Sequence, residues 1–315
     1  MTAIIGGLGA AVLWAAAVLC SSRSSRMLGS RVVLGWVMIV GVVVGLPVAV
    51  ISPGPTAVEP STLGLLVLTG VCYVVGLQLT YAALRIGKVS IVAPIVATEG
   101  AVAALIAVAV GDQIGVIAGS MLAVIALGVV LASLDPSRAD VPAGDFDVVA
   151  DAIEPPAASD TPRSPRVPAP TGTGHMTRTR RAVIFAVGAA LVFGVGIVSG
   201  GRAASLVPPT WVAVAARLVG IVAVVIPLLL QRQLRVTRAA LPLVLIAGVG
   251  EVVGAMLSAW GSRDSIAIAA VMGSQFAAIA AVAAYFLFGE RLGRVQVAGV
   301  VLIVAGVTIL AAATA

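Results

Sequence analysis

Three ionisable side chains stand inside stretches that are otherwise apolar: Glu99, Arg217 and Glu251. A charge at the centre of a hydrocarbon layer costs about 2.5–3.5 kcal/mol on insertion scales, so each should face a wet cavity or a partner. Two carboxylates and one guanidinium can do two kinds of chemistry. One carboxylate can pair with Arg217, while a carboxylate in low-dielectric surroundings can trade its charge for a proton. The same groups could instead form a buried ion pair that only fixes packing, and the residue types leave both readings open. Polar neighbours widen the set: Thr98 beside Glu99; Tyr73, Gln78 and Thr80 on one apolar segment; Ser258 after Glu251; and Ser274 with Gln275 on another segment. Trp14 is the one tryptophan deep enough in its segment to line a cavity. For Gln78 and Gln275 an interhelical hydrogen bond worth ~0.6 kcal/mol is the equal alternative. Pro94, shortly before Glu99, removes a backbone hydrogen bond and predicts a kink there.

Signatures for other chemistry do not occur. The sequence holds no H-E-x-x-H, no G-x-S-x-G and no P-loop, so neither a catalytic set nor an ATP-driven engine is expected. Its one histidine, His175, lies in a polar stretch, and Cys20 and Cys72 lie inside apolar ones. No metal site, cofactor or disulfide framework follows from them. A net charge of +6 with a pI near 10.3 could suit nucleic acid. The charges fall between apolar segments rather than on one basic face, which argues against that partner.

The elements that must position these groups are membrane spans. Of 315 residues, 60% are hydrophobic and 10% charged, with mean hydropathy +1.16. Soluble domains carry about 25% charged residues, so the surplus apolar surface must face lipid. Ten segments reach the ~20 residues that a spanning helix needs: 2–20, 31–51, 61–83, 89–110, 113–133, 181–200, 209–230, 240–260, 266–288 and 294–314. No basic stretch precedes the first, which reads as a retained helix rather than a cleaved signal. Residues 134–180 are rich in Pro, Asp, Ser, Thr and Arg. They cannot bury enough apolar area to offset chain entropy and read as a disordered polar linker. The expected organisation is a five-helix unit at 1–133, the linker at 134–180 and a second five-helix unit at 181–315.

The two units repeat one another. Gly70-Val71-Cys72-Tyr73-Val74-Val75-Gly76 aligns with Gly248-Val249-Gly250-Glu251-Val252-Val253-Gly254 at an offset of 178, which makes Tyr73 the counterpart of Glu251. The same offset pairs Arg85 with Arg263 and Gly111-Asp112 with Gly289-Glu290, while offsets of 179 and 180 pair Trp14 with Phe193 and Pro47 with Pro227. Five is an odd number of helices, so the second unit must enter the bilayer inverted. The charges agree: sixteen Lys and Arg fall on one face, two (Arg202 and Arg263) on the other, and Arg217 within a span. By the positive-inside rule the linker face is cytoplasmic and both termini point outward. The expected fold is all-α and integral to the membrane, with ten transmembrane helices as two inverted five-helix repeats and a site near the midplane. Pairs such as Gly41/Gly45 and Gly250/Gly254 read as intramolecular packing, with a homodimer through the fifth or tenth span as the alternative.

The stretch Ala283-Ala284-Tyr285-Phe286-Leu287-Phe288-Gly289-Glu290-Arg291-Leu292, followed by Gln296, Gly299 and Gly306, resembles the drug/metabolite transporter superfamily, in particular its EamA-type members. In the first unit Pro94 and Gly111-Asp112 are similar to the same pattern with Asp in place of Glu, and Leu13-Trp14-Ala15 resembles the family's first-helix Trp-Gly. The resemblance covers the helices and not the linker. It implies a basket of ten helices with a central cavity, and relatives that export amino acids, amines, drugs or other metabolites, often in exchange for protons. It supplies no substrate motif for Glu99 or Glu251. It also implies cytoplasmic termini, whereas the charge count places them outside.

The expectation is a multi-pass protein of the plasma membrane acting as a secondary carrier, a proton-coupled exporter of a small solute by alternating access. Protons or another coupling ion, the solute and the bilayer are its expected partners. Glu99 and Glu251 would bind the proton or a cation, and Arg217 would serve as counter-ion or anion contact. A non-transporting scaffold and an intramembrane enzyme acting on lipid are the alternatives, the second lacking any nucleophile or metal cluster to work with.

Overall fold

The computed structural model describes residues 1–52, 54, 59–87, 89–111, 115–133, 173–280 and scattered positions between 295 and 309. Among the described residues all regular structure is helical. In chain order the helices are α1 (Thr2–Leu28), α2 (Ser30–Ile51), α3 (Pro60–Ile86), α4 (Val89–Ala97), α5 (Glu99–Ala109), α6 (Val116–Ser133), α7 (Thr173–Leu206), α8 (Pro209–Gly220), α9 (Ile226–Leu230), α10 (Leu241–Gly261) and α11 (Ile266–Gly273). Six stretches among the described residues are long and apolar enough to cross a bilayer: Thr2–Leu28, Ser30–Ile51, Pro60–Ile86, Arg180–Leu206, Pro209–Leu230 and Leu241–Gly261. The helices starting at Pro60, Pro209 and Leu241-Pro242 place proline in their first turn, where its missing N–H has no intrahelical partner to lose. Gly29 alone separates α1 from α2, at a φ of 89° that a residue with a Cβ rarely adopts. α7 starts at Thr173, so residues 173–180, read above as linker, are helical. Residues 134–172, Asp112, Gly289, Glu290, the Ala283–Leu292 motif and most of the tenth span lie outside the described residues.

The helices of the two halves are exchanged, and the small residues show how. Gly76 on α3 is placed so that a Cβ would stand 2.6 Å from the Phe193 ring of α7, and Gly254 on α10 so that a Cβ would stand 2.7 Å from Nε1 of Trp14 on α1. These are one contact made twice, because Gly76 pairs with Gly254 and Trp14 with Phe193 in the repeat. Likewise Gly41 on α2 admits the Arg217 stem, with a Cβ there 2.8 Å from its Cγ, while Gly220 on α8 admits Met38, whose Sδ fills the space a Cβ would need. A glycine in each position lets a bulky side chain lie against backbone, the close approach that small residues permit between spanning helices. The contacts also give direction. Ala3, Gly6 and Leu13 meet Gly261, Leu257 and Gly250 in turn, so α1 runs antiparallel to α10; by the same test α2 is antiparallel to α8 and α3 to α7. The starts of α1, α3 and α8 lie on one face, the Asp264 face, and the opposite one is the linker face.

Two apolar stretches are interrupted. α4 runs through Pro94 without interruption, and the break falls four residues later at Thr98, between α4 and α5, where both the Thr98 N–H (3.2 Å) and its hydroxyl (2.7 Å) donate to the Ile95 carbonyl. α11 ends the same way. The Ser274 hydroxyl donates to Val271 O at 2.8 Å and the Gln275 N–H to Met272 O at 3.4 Å, after which residues 276–280 are helical again. The two breaks abut: a Cβ on Gly100 would lie 2.6 Å from Ser274 Cβ. A third irregularity, the π-helical turn Ile221–Val225, follows Arg217 and precedes Pro227, which has no N–H to return to the Ala223 carbonyl.

Candidate functional site

Among the described residues Arg217 is the largest fully buried side chain, at 0% exposure on α8. Its Nη2 donates to the main-chain oxygen of Glu251 on α10 at 2.6 Å and lies 3.9 Å from Glu251 Oε2. The guanidinium carbon sits 5.7 Å from the centre of the Tyr73 ring on α3, within cation–π range. Phe193 braces that ring edge-on, with centroids 5.7 Å apart at 73°. Three helices from both halves thus converge on one cation. Of its five N–H donors, those on Nε and Nη1 have no partner, a state that costs about 1–3 kcal/mol per buried group. Glu99, 5% exposed, opens α5 at the break, where the positive end of the half-helix favours a carboxylate. It is within electrostatic range of Glu251 and of Tyr73.

Above Arg217 and Tyr73 a narrow cleft extends toward the Asp264 face. It holds about 20 Å³, room for roughly one water. Its walls come from α3, α7, α8 and α10 and include Thr69, Gly200, Ala213, Ser258 and Ser262. Across it the Thr69 and Ser199 hydroxyls are joined at 2.9 Å. The cleft thus has a buried cation with spare donors at its floor, between helices of both repeats.

The EamA-like transporter family profile matches residues 1–134 and again residues 180–312. The chain belongs to the EamA-like transporter family. It carries two copies of the family repeat and is a multi-pass membrane protein of the drug/metabolite transporter type. A solved crystal structure is similar over 98% of this chain and 95% of its own, with a TM-score of 0.67 at 14% identity, a likeness of fold. No curated protein matches the chain.

The residues singled out for this transporter fall into three groups. Arg217, Glu251 and Tyr73 touch, and Glu99 stands within electrostatic reach of the last two. Trp14, Thr98, Ser274 and Gln275 form the frame. Trp14 is buried against Gly254 and Gly273, and its Nε1 has no partner. Thr98 and Ser274 spend their hydroxyls on the breaks, and Gln275 is buried with Nε2 3.5 Å from Met272 Sδ. Gln78 stands apart. Its amide donates to Ser30 Oγ at 3.2 Å toward the linker face, tying α3 to α2, which is the interhelical bond weighed above. Pro94 lies within α4, and Gly111 turns the chain after α5 at a φ of 104°. Gly41, read above as a packing glycine, makes room for the Arg217 stem, whereas sequence reasoning missed Thr69, Ser199 and Ser262 in and beside the cleft. Small hydroxyls in spanning helices bond back to their own carbonyls so often that nothing marks these. Phe193 was visible only as the repeat partner of Trp14.

Proposed function

We propose that this chain is a secondary carrier, a proton-coupled exporter of a small solute that alternates access between two inverted repeats. The observation that carries the reading is Arg217: fully buried, shared by three helices of both repeats, and holding unpartnered N–H donors at the floor of the cleft. A residue serving packing alone would have its donors used, since unsatisfied buried donors destabilise the fold. Antiparallel α2 and α8, the second helices of their repeats, support the inversion, and interrupted helices meeting at Gly100 and Ser274 support a midplane site. Glu99 and Glu251 carry the coupling proton and Arg217 contacts the solute's acceptor group. Two carboxylates against one guanidinium favour a cationic or zwitterionic solute. The linker face is cytoplasmic and the termini are outside; a C-terminal reporter active only in the cytoplasm would reverse that assignment.

The test uses purified protein in vesicles. Amino acids, amines and nucleosides are first screened for a rise in Tm, and those that stabilise are used as probes. Glu99→Gln and Glu251→Gln should each abolish uptake driven by a pH gradient while the protein stays folded. Full coupling in both variants would sink the mechanism.

A further inference from the structure

The lining of the cleft runs from Arg217 and Tyr73 toward the Asp264 face, and the opposite half of the bundle carries buried polar groups that the site does not use. On the C-terminal part of α1, Ser21, Ser24 and Ser25 are each 0% exposed, and on α3 Thr80 and Tyr81 are 4% and 0% exposed. All lie beyond Arg217 and Tyr73 toward the linker face, because α1 and α3 both end there. Ser21, Ser24 and Thr80 return their hydroxyls to their own helices, at 2.7, 2.9 and 2.9 Å. Ser25 Oγ is buried with no partner, and the equally buried Tyr81 hydroxyl meets only that of Ser21. Tyr81 lies about two turns beyond Tyr73 on α3, level with Ser21, and so stands between the end of α1 and the charged cluster. Leu34, Val37, Leu84 and Val244, all at most 1% exposed, close this half of the bundle. In a packed apolar seal, hydroxyls with nothing to bond only weaken the seal. They become useful when the seal parts and water or solute takes up the bonds that the closed state leaves open.

We infer that Ser21, Ser25 and Tyr81 line the linker-side half of the permeation path, shut in this conformation, with the Tyr81 ring as its plug against the Arg217–Glu251 cluster. The inference rests on the carrier reading and adds its second half-path, for a hydrated polar solute. When the α1–α10 and α3–α7 pairs shift, the cleft at Ser258 and Ser262 closes and the track from Ser25 to Tyr81 opens, so that the cluster faces one side at a time.

The test is sided thiol labelling. Cys20→Ser/Cys72→Ser provides a background free of native thiols, into which Ser25→Cys and Ser262→Cys are placed singly, with folding checked by Tm and gel filtration. Vesicles are treated from either face with a charged, membrane-impermeant methanethiosulfonate. Ser262→Cys should react from the Asp264 face alone and Ser25→Cys from the linker face alone. Adding Tyr81→Ala should let the reagent reach Ser262→Cys from the linker face as well, and Tyr81→Phe, which keeps the ring, should not; no such leak in Tyr81→Ala would remove the plug. Ser25→Cys unreactive from both faces, or reactive from the same face as Ser262→Cys, would overturn the half-path while leaving the carrier reading in place. That reading fails separately, through retained proton coupling in the Glu→Gln variants.

Discussion

Arg217→Met replaces the buried cation by the residue that its repeat counterpart, Met38, already is, and methionine has a comparable unbranched stem. The change removes the 2.6 Å bond to Glu251 O, the 3.9 Å ion pair and the contact with Tyr73. At that separation and an effective dielectric near 20, the charge attraction is about 4 kcal/mol, and removing one member of a buried pair costs about 3–5 kcal/mol. Against this, the unpartnered donors on Nε and Nη1 disappear as well, returning about 1–3 kcal/mol for each. The two effects largely offset, so the net change stays within about 2 kcal/mol, and the stranded Glu251 carboxylate is its destabilising part. Glu251→Gln added to Arg217→Met should recover most of it, because the stranded carboxylate is then gone. The assay is a double-mutant cycle on four proteins (parent, two single variants, double variant), by reversible unfolding in mixed detergent micelles. It should give a coupling of about 2–3 kcal/mol. A coupling below about 0.5 kcal/mol, the level at which unlinked sites add, would show that Arg217 and Glu251 do not act as a pair. The double variant should nonetheless be inactive in transport, whatever stability it regains.

Further outcomes are expected elsewhere. Gly76→Ala and Gly254→Ala each push a methyl to within 2.6–2.7 Å of Phe193 or Trp14, so each should cost about 1–3 kcal/mol, read as a drop in unfolding midpoint. Phe193→Leu should rescue the first and leave the second untouched, and rescue of both would refute the exchanged pairing. Asp264 accepts from the Ala3 N–H at 3.3 Å, the Thr2 hydroxyl at 3.0 Å and the Met1 ammonium at 3.2 Å, and these contacts hold its carboxyl below the usual carboxylate range. A depressed folded value adds stability above the unfolded value near pH 3.9 and loses it as acid titrates the folded carboxyl. Asp264→Asn should therefore destabilise slightly at pH 7, by under about 1 kcal/mol for so exposed a group, and the gap should vanish in strong acid; a gap independent of pH would exclude the charge as its cause. Gln78→Leu should destabilise by no more than about 0.6 kcal/mol and leave transport intact, and loss of transport would return Gln78 to the site.

The membrane class and the repeat could be read from one dimension because both are long periodic patterns. A deficit of charge summed over the chain has no other outlet than lipid, and a near-constant offset through Gly76/Gly254 and Trp14/Phe193 outlasts chance. Glu99, Arg217 and Glu251 were legible for a related reason: in a stretch of Ala, Val and Leu the cost of a buried charge is so large that its mere presence points to a partner. What a linear string does not carry is which helix faces which. Tyr73 meeting Arg217, Gly41 lying under its stem, and the cleft between α3, α7, α8 and α10 all join residues more than a hundred positions apart, or on helices whose facing sides lipid-like composition leaves unmarked. Only packing decided those, because in an apolar solvent an inward-facing leucine and an outward-facing one look the same until a neighbouring helix excludes the lipid from one of them.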